Sequence, residues 1–443
     1  MRSSSRHLLV VAVTLPLCLF MFACPGGGGG GGFFSGDPAY ADMFNALGST
    51  EGFTLLGRIV EEEDPVDPVH TSPGEEFSQD EIDNAEVSLT LLDGNNRLDL
   101  GTATANEEGY LDAPIDLSGL GLDPGNYTVE VAYEGTAAGT FNVRVLGADH
   151  VEPVVRSDVD LTYINTDFMS STGLLGLVAD DATKREALPA MEVIYRRLRA
   201  GQSGAEDRPL IFLSGSPRFF KRTLEGKMQL DGVEQDGLVL KPFKDIVVEN
   251  IVDFDLGQIV PELKEQIGYK LYWLLRLRLD IPSDTPELLL GDDSEADVVV
   301  YALYHRFTSG EFDGDSLGAE LDRIGVAKAW SDLIAPLTGP VTAHLAGNAP
   351  VVAIYINQTG KPNDAYAVAD WTIDGLVRYH DGAWPLALDL FEEGWIADAG
   401  VEEVRQRLLA LGQTGEALDQ RAADAVADGI LDPGTATSFR GTP

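Results

Sequence analysis

The first third of the chain has apolar runs of the kind that form β-strands. Turn-forming glycine, proline and asparagine residues separate these runs, and the later ones alternate apolar and polar side chains at period two. The predicted strands cover residues 53–60, 87–92, 127–133 and 140–145. Short strands with this punctuation predict a small all-β sandwich over residues 51–148.

From residue 149 the pattern changes to strands that alternate with helices. The predicted strands cover residues 151–157, 210–213, 238–240, 288–290 and 351–356. The predicted helices between them cover residues 185–199, 219–230, 256–279 and 296–307. This alternation predicts the α/β class, with a Rossmann-like parallel sheet covered by helices on both faces. We expect this domain to span residues 149–400, with a helical insertion at 310–349 and a helical tail at 401–443.

The N-terminus has the pattern of an export signal. Two arginines precede an apolar stretch at 8–22, which is too short and too close to the terminus for a typical membrane span. Cys24 and a glycine run at 26–32 follow, which resembles the signal of a bacterial lipoprotein with a lipidated cysteine. We therefore expect a signal peptide (1–23), a tether (24–50) and an extracytoplasmic, membrane-anchored protein of the bacterial cell envelope. The alternative is a plain secretory signal with an incidental cysteine.

The charge of the chain excludes some partners. The formal net charge is −41 over 443 residues, so the phosphate backbone of nucleic acids would repel the protein. Residues 51–149 carry 22 Asp and Glu against 3 Arg and no Lys, a formal charge of −19. Such a segment is a solvated acidic face in one interpretation and a calcium-binding surface in the other.

The candidate chemistry begins with two carboxylates directly after the first predicted strand of the α/β region. Asp158 and Asp160 are one residue apart, and Thr162 follows them. Side chains two residues apart on a strand point to the same side, and like charges that close raise each other's pKa. A divalent cation, or a reaction that uses both groups, would offset this cost. The alternative is an acidic turn that ends a strand.

Other predicted strand ends supply partners for this pair. The 210–213 strand runs into Ser214-Gly215-Ser216, in which hydroxyl and backbone N–H groups at a helix start can hold a phosphate oxygen. The 288–290 strand runs into a second acidic cluster, which contains Asp292, Asp293 and Asp297. Carboxylate oxygens are ligands that Mg²⁺ prefers. Lys270, in the long helix between them, could neutralise a phosphoryl group. The alternatives are a plain loop and a solvated lysine.

The order of these motifs resembles the haloacid-dehalogenase-like phosphatases. A closer resemblance, over about residues 150–400, is to the catalytic domain of the actin-patch-associated phosphatidate phosphatases and their bacterial relatives. It is carried by residues 187–198, 212–217, 268–270 and 291–297 and by Tyr301. Three residues depart from the family pattern: Arg156 stands within the first strand, Leu161 replaces an acidic residue, and Ala190 stands where glycine is common.

The resemblance implies a role for each matching residue. Asp158 would be the nucleophile and Asp160 the general acid and base. Ser214 and Lys270 would bind the transferring phosphoryl group, with Thr162, Gly215 and Ser216 lining its site or orienting the loop. Mg²⁺ would be held by Asp158, the main-chain carbonyl of Asp160 and Asp292, with Asp293 or Asp297 in support. Residues 172–188 would form part of a flap.

The sequence thus predicts a magnesium-dependent phosphatase that acts through an aspartyl-phosphate. The resemblance suggests a membrane phospholipid, phosphatidate, as substrate. Two alternatives stay open: a phosphatase for a soluble phosphomonoester, and a catalytically silent lipoprotein that binds surfaces through its β-rich part.

Overall fold

The computed structural model describes residues 39–61, 67–77, 79, 81–166, 179–241, 259–362 and 370–439. All of them belong to one unit that extends from Asp37 to Pro443. The predicted signal peptide, Cys24, the tether up to residue 38 and residues 172–178 of the predicted flap lie outside the described residues.

The N-terminal part is a mostly antiparallel sheet. Its strands are β1 (Ala39–Met43), β2 (Leu47–Ser49), β3 (Gly52–Glu61), β4 (Glu86–Asp93), β5 (Asn96–Thr104), β6 (Tyr110–Asp116), β7 (Gly125–Tyr133) and β8 (Thr136–Leu146). A short helix, α1 (Pro73–Phe77), lies between β3 and β4. The strand order is β1-β3-β2-β8-β7-β4-β5, and β6 pairs with β3. The pair β2–β8 is parallel.

These strands enclose one apolar core. In β4, Val87, Leu89 and Leu91 are fully buried whereas Ser88 is exposed, as expected for a strand with one face in a core. The strands are hydrogen-bonded into one mostly antiparallel sheet. The predicted tether is too long, because β1 and β2 begin the sheet at Ala39.

The second sheet is parallel. Its strands are β9 (Val154–Ser157), β10 (Leu210–Pro217), β11 (Gly237–Lys241), β12 (Glu287–Asp292), β13 (Val351–Asn357) and β14 (Val377–His380). The helices of this region are α2 (Met191–Ala200), α3 (Lys221–Asp231), α4 (Ile259–Arg278), α5 (Asp297–Thr308), α6 (Gly314–Ile324), α7 (Lys328–Leu345), α8 (Ala383–Glu392), α9 (Asp398–Ala410), α10 (Gly415–Ala427) and α11 (Pro433–Ser438). The fold is therefore mixed α/β, with α6 and α7 in the predicted insertion.

The strand order of the parallel sheet, β11-β10-β9-β12-β13-β14, creates a switch point beside β9. The chain moves outward from β9 through β10 to β11, and then returns to the other side of β9 to form β12. Ligands of open parallel sheets bind beyond the carboxyl ends of the strands at such a point. Asp158 follows the last residue of β9 and therefore lies there.

Helices cover both faces of this sheet, since its strands bury side chains on both sides. Leu288 and Leu290 of β12 pack in one core with α2, α3 and the C-terminal helices. Leu289 packs in the other core with α4 to α7. This near-continuous apolar run is typical of a central parallel strand. Within the described residues, no helix has both the length and the apolar character needed to cross a membrane.

The two sheets are in direct contact. The main-chain N–H of Leu238 in β11 donates to the carbonyl of Phe44, 2.8 Å away, and Asn45 forms a bridge with Gly237. Thr54 of β3 donates from its hydroxyl to Oδ1 of Asp280 at 3.0 Å. Thr54 of β3 and the residues between β1 and β2 therefore bond to the α/β part of the chain.

Candidate active site

Asp158 lies at the carboxyl end of β9, where the parallel sheet changes direction. Its side chain is fully buried, and its main-chain N–H donates to the carbonyl of Leu290 at 2.9 Å. This bond ties the loop after β9 to the end of β12, which precedes the second acidic cluster. The strand pairing thus brings together two acidic motifs that are more than a hundred residues apart in sequence.

Lys270 joins these motifs from α4. Its Nζ lies 2.8 Å from Oδ1 of Asp158, 2.5 Å from Oδ1 of Asp297 and 3.2 Å from Oε2 of Glu295. The ammonium group is completely buried. Burial lowers the pKa of Lys270, but these three carboxylates outweigh that effect and raise the pKa well above its usual value. Lys270 is therefore a fixed positive charge in the site.

Asp158, Asp292 and Asp297 form an acidic triad. Each offers a carboxylate oxygen, and the three atoms lie within 4.8 Å of one another. Oδ2 of Asp158 and Oδ2 of Asp292 are buried and accept no hydrogen bond within the part of the chain that the structure describes. Buried polar atoms are nearly always paired, and carboxylate oxygens at this spacing suit a hard divalent cation. The residues present fit Mg²⁺.

Burial raises the pKa values of several carboxyl groups in this cluster. It raises the pKa of Asp158 well above its usual value, although Lys270 acts in the opposite direction. Burial and the neighbouring Asp297 and Glu295 raise the pKa of Asp292 as well. The pKa of Glu295 is raised to about 7, chiefly by burial. One ammonium group does not neutralise all of these carboxylates, and a bound cation would lower their pKa values.

Asp160 is held by three hydroxyl groups. Its Oδ1 accepts from Oγ1 of Thr166 at 2.7 Å, and its Oδ2 accepts from Oγ of Ser214 at 2.9 Å and from Oγ of Ser216 at 2.7 Å. The N–H of Ser216 in turn donates to Oγ of Ser214 at 2.9 Å. Ser214, Gly215 and Ser216 belong to the C-terminal half of β10, which extends beyond the predicted end at residue 213. Their hydroxyls meet the second carboxylate of the Asp158 motif.

The other predicted site residues, Asp293, Thr162 and Gly215, differ in the contacts that they make. Asp293 bonds away from the triad, because its Oδ1 accepts from the N–H of Thr359 at 2.8 Å and from the hydroxyl at 2.7 Å. The Thr162 hydroxyl is buried and, among the described residues, has no hydrogen-bond partner. Gly215 packs against Gln266 of α4, one helical turn before Lys270, and a Cβ on Gly215 would lie 2.8 Å from Nε2 of Gln266.

The loop after β9 has an unusual backbone at Leu161. Its φ is +54°, in the left-handed region that glycine favours. The N–H of Leu161 donates to the carbonyl of Ile164 at 2.8 Å, and the carbonyl of Leu161 accepts from Nδ2 of Asn357 at 2.7 Å. Ala190, directly before α2, also has a left-handed φ of +65°. Glycine would adopt this backbone without strain.

Three contact residues were not predicted from the sequence. Glu295 lies inside the acidic cluster at 291–297, so its position between Asp292 and Asp297 indicates a site residue from sequence alone. Thr166 and Asn357 had no such signal, since a threonine six residues after a motif and an asparagine at a strand end are both common.

Comparisons with known proteins leave the chain without an assigned family. No family model matches the chain, and no curated protein matches it. Solved structures that match include the cycloisomaltooligosaccharide glucanotransferase of Paenibacillus sp. complexed with cycloisomaltoheptaose, at 8% identity and a TM-score of 0.18, over 73% of this chain and 53% of that one. Another is the β-glucuronidase of Bacteroides uniformis, at 9% identity and a TM-score of 0.20, over 72% of this chain and 40% of that one. The chain spans about half or less of those proteins, and TM-scores this low do not establish a shared fold.

Proposed function

We propose that this protein is a magnesium-dependent phosphomonoester hydrolase with a haloacid-dehalogenase-like core. The observation that carries this proposal is the meeting of Asp158, Asp160, Lys270 and the acidic triad at the switch point of a parallel sheet. Two acidic groups, one fixed ammonium and a hydroxyl-rich strand end are the parts that phosphoryl transfer through a carboxylate nucleophile needs.

Asp158, Asp292 and Asp297 would hold Mg²⁺, with the main-chain carbonyl of Asp160 as a further ligand. The bound ion would supply positive charge to the transferring phosphoryl group. Lys270 contributes a second positive charge, 2.8 Å from Oδ1 of Asp158, and it keeps that carboxylate in one orientation. Both charges favour the ionised form of Asp158, which is the nucleophilic form.

Hydrolysis would then proceed in two steps. A carboxylate oxygen of Asp158 attacks phosphorus, and the bond between phosphorus and the alcohol oxygen breaks while Asp160 donates a proton to that oxygen. Asp160, now a carboxylate, takes a proton from water as the water oxygen attacks phosphorus of the aspartyl-phosphate. Phosphate leaves, and the Asp158 carboxylate and the protonated Asp160 are restored. Thr166, Ser214 and Ser216 keep Asp160 in place throughout.

Phosphatidate, which would give diacylglycerol and phosphate, is the substrate that we propose. Its support is the resemblance of the motifs and the lipoprotein-like N-terminus, since a lipid anchor at Cys24 would raise the effective concentration of the site at a membrane. The proposed location is the outer side of a membrane in the bacterial cell envelope. A soluble phosphomonoester is the second candidate, favoured by the net charge of −41, which opposes binding to an anionic lipid layer.

One assay distinguishes these activities. The purified full chain with Mg²⁺ is tested on phosphatidate in mixed micelles and on a generic aryl phosphate. Hydrolysis of phosphatidate that drops about 10³-fold or more in Asp158→Asn supports the proposal. Asp149→Asn, at an exposed loop position, is the matched control and should keep full activity. Turnover of the aryl phosphate alone would exclude the lipid substrate, and no turnover of either would favour a binding module.

The anchor is tested separately. Cys24→Ala should release the protein from the membrane fraction without changing the activity of the purified chain on micelles. A Cys24→Ala protein that stays equally membrane-associated would show that lipidation at this residue does not hold it there.

A further inference from the structure

Asn357 connects the two acidic loops of the site. It is the last residue of β13 and is 7% exposed. Its Nδ2 donates to the carbonyl of Leu161 at 2.7 Å, and its own carbonyl accepts from the N–H of Asp293 at 3.1 Å. The orientation of the carboxamide is fixed by its partner, because a carbonyl oxygen can only accept. One residue therefore bonds to the loop after β9 and to the loop after β12.

The side-chain bond of Asn357 reaches beyond ordinary strand pairing. In the sheet, β12 lies between β9 and β13, so β9 and β13 share no ladder of hydrogen bonds. Asn357 pairs in register with Asp292, and from there its carboxamide extends past the end of β12 to Leu161. The hydrogen bonds between neighbouring strands end where the strands end. Beyond that point, the distance between the two loops depends on side-chain hydrogen bonds such as the one from Asn357.

The loop that Asn357 contacts has a strained backbone, which its surroundings must stabilise. A non-glycine residue in the left-handed region costs roughly 1–2 kcal/mol, and Leu161 has φ +54°. Such conformations persist only where the surroundings enforce them. Asp160 directly precedes Leu161, so a relaxed backbone at 161 would turn the carboxyl group of Asp160 away from the hydroxyls of Ser214 and Ser216.

We propose that Asn357 is a positioning residue that sets the spacing between the Asp158 and Asp292 loops and thereby the geometry of the metal triad. It touches none of the reacting atoms. Its side chain acts through Leu161 on the Asp158–Asp160 segment. Its main-chain carbonyl, which the variants keep, bonds to the Asp293 N–H next to Asp292 and fixes the position from which that side chain extends. Its kinetic consequence rests on the proposed function, whereas its effect on loop order and on metal binding does not.

The test compares three variants of the full chain. Asn357→Leu removes the donor at similar size, and Asn357→Asp replaces it with an acceptor that faces a carbonyl. Asn348→Leu is the matched control, because Asn348 also donates from Nδ2 to a carbonyl, that of Ser283 at 3.4 Å, but lies exposed after α7. Mg²⁺ and Mn²⁺ binding is measured by calorimetry, together with amide hydrogen exchange, kcat and KM.

Both Asn357 variants should bind the metal about 10-fold to 100-fold more weakly than wild type, the range typical of lost outer-shell contacts. The amides of Tyr163 and Ile164, which donate to the carbonyl of Val159 at 2.9 Å each, should exchange about tenfold faster. The phosphatase kcat should fall with little change in KM, and Asn348→Leu should match wild type in all measurements.

Wild-type metal affinity and unchanged exchange at Tyr163 and Ile164 in Asn357→Leu would overturn the positioning role. A wild-type chain that hydrolyses no phosphate ester would overturn the proposed function alone. Faster exchange in Asn357→Leu would still support the positioning role in that case.

Discussion

The ammonium group of Lys221 lies 2.7 Å from Oδ1 of Asp42, and both side chains are almost completely buried. Lys221 begins α3 of the α/β part, and Asp42 belongs to β1 of the antiparallel sheet. Arg58 of β3 adds a second cation, with its Nε 3.0 Å from Oδ2 of Asp42. Burial alone would raise the pKa of Asp42, but Lys221 and Arg58 outweigh it and lower that pKa to about 2. A buried ionic contact therefore joins α3 to the antiparallel sheet.

Asp42→Ala should destabilise the protein strongly. It removes one carboxylate from Lys221 and Arg58, which keep Glu225 and Glu76 as partners at 2.7 and 2.6 Å. We therefore expect a loss at the lower end of the about 3–5 kcal/mol that follows when a buried charge loses its partner. Urea unfolding of the full chain measures the loss. Asp332→Ala, which breaks the exposed pair with Lys328 at 2.6 Å, should cost less than about 1 kcal/mol. Equal small losses in both variants would mean that the Asp42 contact adds nothing to stability.

The sequence pattern predicts most elements of the parallel sheet because their apolar runs are continuous and buried on both faces. Each of the five strands predicted there corresponds to an observed strand, and only β14 is missing from the prediction. In the antiparallel sheet, the prediction lacks β5, whose side chains are mostly exposed and therefore show no clear apolar period. It also lacks β1, β2 and β6, of which β1 and β2 are only five and three residues long.

The site was partly predictable for a related reason. Strand ends of a parallel sheet meet at one edge, so the positions of Asp158, Ser214 and Asp292 follow from the strands alone. Contacts made by loops do not follow from strand positions. Arg156 shows the same limit within a strand. Its buried charge is compensated by Glu287, whose Oε1 lies 2.5 Å from Nε of Arg156. A sequence pattern does not identify a partner that is so distant along the chain.

Ala346→Gly should stabilise the protein. Ala346 ends α7 in the left-handed region, with φ +51°, and its N–H caps the carbonyl of Thr342 at 3.2 Å. Glycine adopts this backbone without a Cβ clash, which should raise the free energy of unfolding by roughly 1–2 kcal/mol. The larger conformational entropy of glycine in the unfolded chain reduces this gain by about 0.4–1 kcal/mol. We expect a net gain of about 0.5–1 kcal/mol in thermal unfolding. Ala343→Gly, inside the same helix, should have the opposite sign.

Gly291→Ala should disrupt the acidic triad. A Cβ on Gly291 would lie 2.6 Å from both Cβ and Oδ2 of Asp297 and 2.8 Å from the ring of Tyr301. Asp297 would have to move, which breaks its contact with Lys270 and its place in the triad. We expect loss of calorimetric Mg²⁺ binding while circular dichroism stays native. Gly318→Ala in α6, where a Cβ meets no atom within 4 Å, should leave binding unchanged. Wild-type binding in Gly291→Ala would contradict the assignment of Asp297 to the metal site.

The carboxyl groups of the site make stability depend on pH in a defined direction. Burial raises the pKa of Asp158 and Asp292, and it raises that of Glu295 to about 7 from an ordinary value of 4.5. A group whose pKa is higher in the folded protein binds more protons when folded than when unfolded. Its stabilising contribution is complete below the unfolded pKa and is lost as pH rises through the folded pKa.

The metal-free protein should therefore lose stability as pH rises from about 4.5 to about 7, and Mg²⁺ should restore it most at the upper end, because the metal binds ionised carboxylates. Thermal unfolding at pH 5.5 and 7.5, with EDTA or with Mg²⁺, measures both effects. Glu76 and Asp389, whose pKa values are also raised to about 7, contribute the same slope without the metal. Glu295→Gln isolates the contribution of the site: it should flatten the slope in EDTA, whereas Glu107→Gln, at an exposed turn position, should not. A Mg²⁺-induced rise in melting temperature that is equal at both pH values would show that no buried carboxyl group loses a proton when the ion binds.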